Sequence, residues 1–102
     1  MPKKIYLPHI HYTLHIKQIG NLPEGLSYAY AYVKRNDKNS CTLYLDQKRK
    51  VIHADVAHEL IHVMQFICLD RNIDFCTETE HMGYIMHYLL AQLTNCSWDS
   101  TK

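Results

Sequence analysis

The chain has 102 residues, 47% of them hydrophobic, and a formal net charge of +1. That length allows one domain, residues 1–102, with a single modest core, and the apolar content excludes disorder by composition. The balanced charge argues against a nucleic-acid binder, which carries a strong basic bias, and no run approaches the ~18 apolar residues of a membrane span.

In chain order, HYTLHIKQI (His11 to Ile19) alternates, with Tyr12, Leu14 and Ile16 facing one way and His11, Thr13, His15 and Lys17 the other, the period of a strand. GNLPEG (Gly20 to Gly25) is rich in breakers and reads as a loop. SYAYAYVK (Ser27 to Lys34) sets Tyr28, Tyr30 and Tyr32 against Ala29, Ala31 and Val33, a second strand. NDKNS (Asn36 to Ser40) is a turn, and CTLYLDQ (Cys41 to Gln47) a third strand. The short connections favour antiparallel neighbours, because parallel pairing needs a longer crossover. QKRK (Gln47 to Lys50), the only dense basic run, reads as a solvated turn.

The second half turns helical. From Asp55 to about Leu69, Val56, Leu60, Val63, Met64 and Ile67 recur at helical spacing, with Asp55 at the N-terminal end. LDRNID (Leu69 to Asp74) closes that helix. A second runs from about Thr77 to Leu93, with the apolar stripe Met82, Ile85, Met86, Leu89, Leu90 and Leu93. Each helix has one apolar side and should pack on the sheet, so the expected class is α+β: a small three-stranded antiparallel sheet followed by two packed helices.

Within the first helix stands HELIH, His58 to His62. Residues four apart on a helix share a face, so the two imidazoles can aim at one point, and two such nitrogens suit Zn²⁺. Glu59 is rotated about 100° from His58. That offset keeps it out of direct coordination yet beside a water on the metal, where a carboxylate can take up and return a proton. His58, His62 and Gln65 form a stripe apart from the core residues Leu60, Val63, Met64 and Ile67. The plain alternative is that a chain with eight histidines matches HExxH by coincidence.

A catalytic zinc usually has three protein ligands. A continuation HExxHxxGxxH fails, because Gln65 and Cys68 occupy the glycine and last histidine positions; Cys68 as a thiolate is a minor option. Downstream, CTETEHMGY (Cys76 to Tyr84) offers Glu80, with Glu78 and His81 in reserve. Glu80, Tyr84, His87 and Ala91 share one stripe of the second helix beside Gly83, whose small size would let the helices approach. Against this, Thr77-x-x-Glu80 also fits a capping box, in which Glu80 merely satisfies a backbone N–H.

HELIH followed by Glu80 in the frame E-x-x-G-Y resembles the gluzincin zinc metallopeptidases, and the short length looks like the minimal, phage- or prophage-encoded members. The match covers roughly Ser27 to Leu93 in organisation, but only His58, Glu59, His62 and Glu80 in specific residues. The resemblance implies a zincin-like core, Zn²⁺ held by His58, His62 and Glu80, Glu59 as general base, and a peptide or protein substrate. It also implies that the strand just before the metal helix lies at the sheet edge and binds extended substrate through its main chain, with Thr42 and Tyr44 shaping the cleft. Many relatives have alanine at Gly83, and the thermolysin-like branch has an aspartate at Tyr84 that orients a ligand histidine. Tyr84 and His87, on the Glu80 face, are candidates to stabilise the oxyanion of amide hydrolysis.

Two other classes compete with a peptidase: a zinc-stabilised binding module without turnover, and a metal-free structural protein. His9, His11 and His15 read as a polar strand face rather than a second metal cluster, and His53 as structural or exposed. The three tyrosines Tyr28, Tyr30 and Tyr32 read as core or as a partner surface. MPKKIYLPHIHY carries basic residues with no apolar run behind them, so no export signal is expected and the chain is read as cytoplasmic. Cys41, Cys68, Cys76 and Cys96 lack CxxC spacing and read as small hydrophobes. Nothing in the sequence sets the oligomeric state, a partner, or an arm among Lys3, Lys4 and the NCSWDSTK tail.

Overall fold

A computed structural model describes residues 3–20, 31–46 and 53–94. The strands are β1 (Lys4–Leu7), β2 (Tyr12–Ile19), β3 (Ala31–Asp37) and β4 (Ser40–Asp46), and the helices α1 (His53–Arg71) and α2 (Thr79–Thr94). The α+β class is as expected, but the sheet differs: it has four strands in the order β1-β2-β4-β3, and it is mixed. The extra strand, KIYL, alternates exposed and buried residues over only four positions before Pro8, too short to stand out by period.

β1 pairs antiparallel with β2, Leu7 opposite Tyr12, and β3 pairs antiparallel with β4. β2 and β4 are parallel, Leu14 opposite Cys41 and Ile16 opposite Leu43. Two successive antiparallel pairings were expected, but the chain goes from β2 to the outer position, β3, and then turns back inside it as β4. β4 is therefore paired along both edges, and it is not the edge strand. Burial explains the preference. Cys41, Thr42, Leu43, Leu45 and Asp46 are all buried, the near-continuous pattern of an interior strand. The outer strand, β3, runs from Ala31 into four exposed residues. Tyr32 stacks on Tyr44 across the β3–β4 pair, with ring centroids 4.7 Å apart and planes 12° apart. The rest of the tyrosine stripe, the Gly20–Gly25 loop beyond Gly20, the QKRK run and the tail lie outside the described residues.

One core unites the layers. Leu14, Ile16, Leu43 and Leu45 of the sheet meet Val56, Leu60, Val63 and Ile67 of α1 and Met82, Leu89 and Leu93 of α2. α1 packs on β3 and β4 and against α2. Its C-terminal end is fixed in two ways. Asn72 takes a left-handed conformation, φ 54°, and the Ile73 N–H reaches back to the Cys68 carbonyl at 2.9 Å, closing the helix as a Schellman turn. Arg71 then donates to the carbonyls of Ile10 (2.7 Å), His11 (3.0 Å) and Lys38 (2.6 Å) and to Asn39 Oδ1 (2.9 Å). One guanidinium thus clasps both hairpin turns to the end of the helix. Next to it, Asp70 accepts from Arg35 of β3 at 2.8 and 3.0 Å and from the Tyr12 hydroxyl at 3.1 Å.

Candidate metal centre

Helix α1 buries Val56, Leu60, Val63, Met64 and Ile67 and leaves His58, Ile61, His62, Gln65 and Leu69 exposed. The i, i+3, i+4, i+7 spacing of both sets puts them on separate faces of one helix. His58 and His62 therefore stand together in solvent, ring centroids 5.4 Å apart and rings tilted by 63°. Glu59 joins them: one ligand atom from each of His58, Glu59 and His62 lies within 4.8 Å of the other two. Two nitrogens on a tetrahedral zinc stand about 3.3 Å apart, as Zn–N bonds of 2.0–2.1 Å require. Both rings are exposed, His58 with 71% of its side chain open to solvent. The two imidazoles, with the Glu59 carboxylate beside them, fit a borderline metal such as zinc.

Glu59 is placed differently from its neighbours. Its side chain is 12% exposed against 71% for His58, and its Oε2 lies 3.8 Å from His58 Nε2. Burial raises its carboxyl above the usual range, and His62 and His58 pull it back down. A carboxylate beside two imidazoles, partly withdrawn from water, is placed for proton transfer.

The structure does not bring Glu80 to this cluster. Glu80 is exposed, in the first turn of α2, and is not among the residues gathered at His58 and His62. Two residues on, Met82 Sδ meets Cys68 Sγ at 3.9 Å. Cys68 is six residues beyond His62, about 9 Å of helix rise, so Glu80 sits by the far end of α1. The stripe Glu80, Tyr84 and His87 is exposed throughout, because Met82, Ile85, Leu89 and Leu93 on the opposite side take α2 into the core. A Cβ built on Gly83 would meet nothing within 4 Å, so no close helix approach occurs there. The capping alternative is also not what forms. Asp74 organises the entry to α2, its carboxylate accepting the Cys76 N–H at 3.0 Å and its carbonyl the Thr77 hydroxyl and the Glu78 N–H.

Of the other candidates, Glu78 and His81 pair with each other at 3.6 Å. Tyr84, 72% exposed, lines an apolar groove of about 240 Å³ with Leu7, Ile10, His81 and Tyr88, and His87 is exposed. The Cys68 thiol is raised by burial, which disfavours a thiolate ligand. His11 Nδ1 lies 2.6 Å from the Tyr6 hydroxyl, and His9 lines the α2 groove. Among the described residues, His9, His11 and His15 form no ligand cluster. The side chain of His53 lies outside the described residues. Sequence reasoning passed over Ile61 and Leu69, 58% and 72% exposed beside the histidine pair. Their place at three and eleven positions from His58 was the available signal.

No protein-family model, curated protein or solved structure matches the chain. No helix among the described residues is long and apolar enough to cross a membrane.

Proposed function

We propose that the chain is a zinc-dependent hydrolase of peptide bonds. One observation carries the reading: His58, Glu59 and His62 converge on the solvent face of a helix whose opposite face is locked into the core. His58 and His62 hold the metal, which, when bound, supplies Lewis acidity for an attacked carbonyl. Glu59 takes a proton from the attacking water and passes it to the leaving amine. The described residues supply no third protein ligand, since Glu80 stands on the exposed face of α2 apart from the pair.

An extended substrate has a docking strand in β3 rather than β4. The outer edge of β3 carries no strand partner among the described residues, and β3 lies against α1, tied by Arg35 and Asp70. A peptide added to that edge gains main-chain hydrogen bonds with little side-chain selectivity.

A second reading, a metal-holding module without turnover, is favoured by the position of Glu80 outside the cluster. A fluorogenic peptide library separates the two. Cleavage that a chelator stops, zinc restores and Glu59→Gln abolishes while still binding zinc supports the hydrolase. Zinc binding with no cleavage by the parent chain supports the module.

A further inference from the structure

The metal site gathers only half of a tetrahedral shell from imidazoles. Among the described residues the cluster is His58, Glu59 and His62, with Glu59 drawn toward the protein. The two histidines lie in a stripe of α1, Ala54, His58, Ile61, His62, Gln65 and Leu69, that contains no Lys, Arg, Asp or Glu. All six are exposed, and Ile61 and Leu69 are large apolar side chains at 58% and 72% exposure. Every other apolar residue of α1 from Val56 to Ile67 is buried or partly buried. A helix face that is uncharged, apolar at two points and armed with an i, i+4 histidine pair is self-complementary. A two-fold axis through a metal at the pair brings a second α1 against the first along this stripe, with the partly buried Asp55 and Glu59 beside it.

We infer that zinc joins two copies of this chain through His58 and His62 of each, giving a four-imidazole site flanked by Ile61 and Leu69. The inference rests on the reading of His58 and His62 as metal ligands. Four imidazoles satisfy the tetrahedral preference of zinc and leave no position open to water, the mark of a closed structural site. The isologous contact uses the same patch on both copies, as two-fold symmetry requires. The dimer is a latent form: the metal is sequestered and Glu59 has no water to activate until the copies separate.

The test is a zinc titration of the full chain, purified metal-free, followed by calorimetry and by light scattering on a sizing column. The expected result is a monomer that doubles in mass at micromolar zinc, with an inflection at 0.5 zinc per chain. His58→Ala/His62→Ala should stay monomeric at the same zinc. Ile61→Lys should retain the histidine pair but need at least tenfold more protein to dimerise, because two ammonium groups would then face each other. One zinc per chain with no change in mass overturns the dimer and leaves the metal reading standing. Absence of zinc binding overturns both. Dimerisation that persists in the double variant, or appears only at millimolar zinc, places the bridge elsewhere and also overturns the inference.

Discussion

Arg71 ties the end of α1 to both hairpin turns. Its guanidinium donates to three backbone carbonyls and one side-chain amide at 2.6–3.0 Å, in the two turns that join β1 to β2 and β3 to β4. It also lies over the Tyr12 ring, 5.3 Å from the centroid. Arg71→Met keeps the aliphatic stem and deletes all four bonds. At about 0.5–1.5 kcal/mol each, and toward the low end because the turns are reached by water, the loss is about 2–3 kcal/mol. For a domain of this size that is a fall in Tm of roughly 10–20 °C. Arg71→Lys should recover little, since one ammonium cannot span a fork of acceptors on two separate turns. Urea unfolding followed by circular dichroism measures the difference directly. If Arg71→Met unfolds within 0.5 kcal/mol of the parent, or Arg71→Lys restores it fully, the clasp is not what holds α1 to the hairpins.

Other outcomes follow from the same geometry. Gly83→Ala should stabilise the chain by about 0.5–1 kcal/mol in the same urea assay, because the position is exposed, helical and faces open space; a loss would place a neighbour there. His62→Ala should lower zinc affinity at least tenfold by competition with a chelating dye, without altering the far-ultraviolet spectrum, since its side chain is outside the core. The bonds from Arg35, with help from Tyr12, hold the Asp70 carboxyl below the usual range. The stability it adds is therefore complete above its unfolded pKa, about 3.9, and lost as pH falls through the lower folded value. Asp70→Asn should flatten the acid limb of the stability–pH curve; an unchanged limb would assign acid unfolding to other groups.

The elements that could be read from sequence are those in which a single face is buried. β2 alternates because only Tyr12, Leu14 and Ile16 enter the core, and each helix buries one apolar stripe, although α1 also exposes Ile61 and Leu69. The pair His58 and His62 was legible for the same reason: four-residue spacing on a helix fixes a shared face whatever surrounds it. What failed to show was set by contacts distant in sequence. The position of β4 between β2 and β3 depends on which strands the chain chooses to cover, and Thr42, at 3% exposure, gives no hint by type. β1 is too short to display a period. Glu80 illustrates the limit more sharply. Its stripe on α2 was identified correctly, but a stripe does not say what it faces, and the core residues on the opposite side turn it to solvent.

The proposed function requires His58 and His62 to bind one metal ion together. X-ray absorption at the zinc edge of the purified, zinc-loaded chain counts imidazole ligands without reference to activity. At least two imidazoles are expected, at about 2.0–2.1 Å, with loss of that signature in the His58→Ala/His62→Ala variant. A chain that retains no zinc, or a double variant with the same imidazole count as the parent, would contradict it.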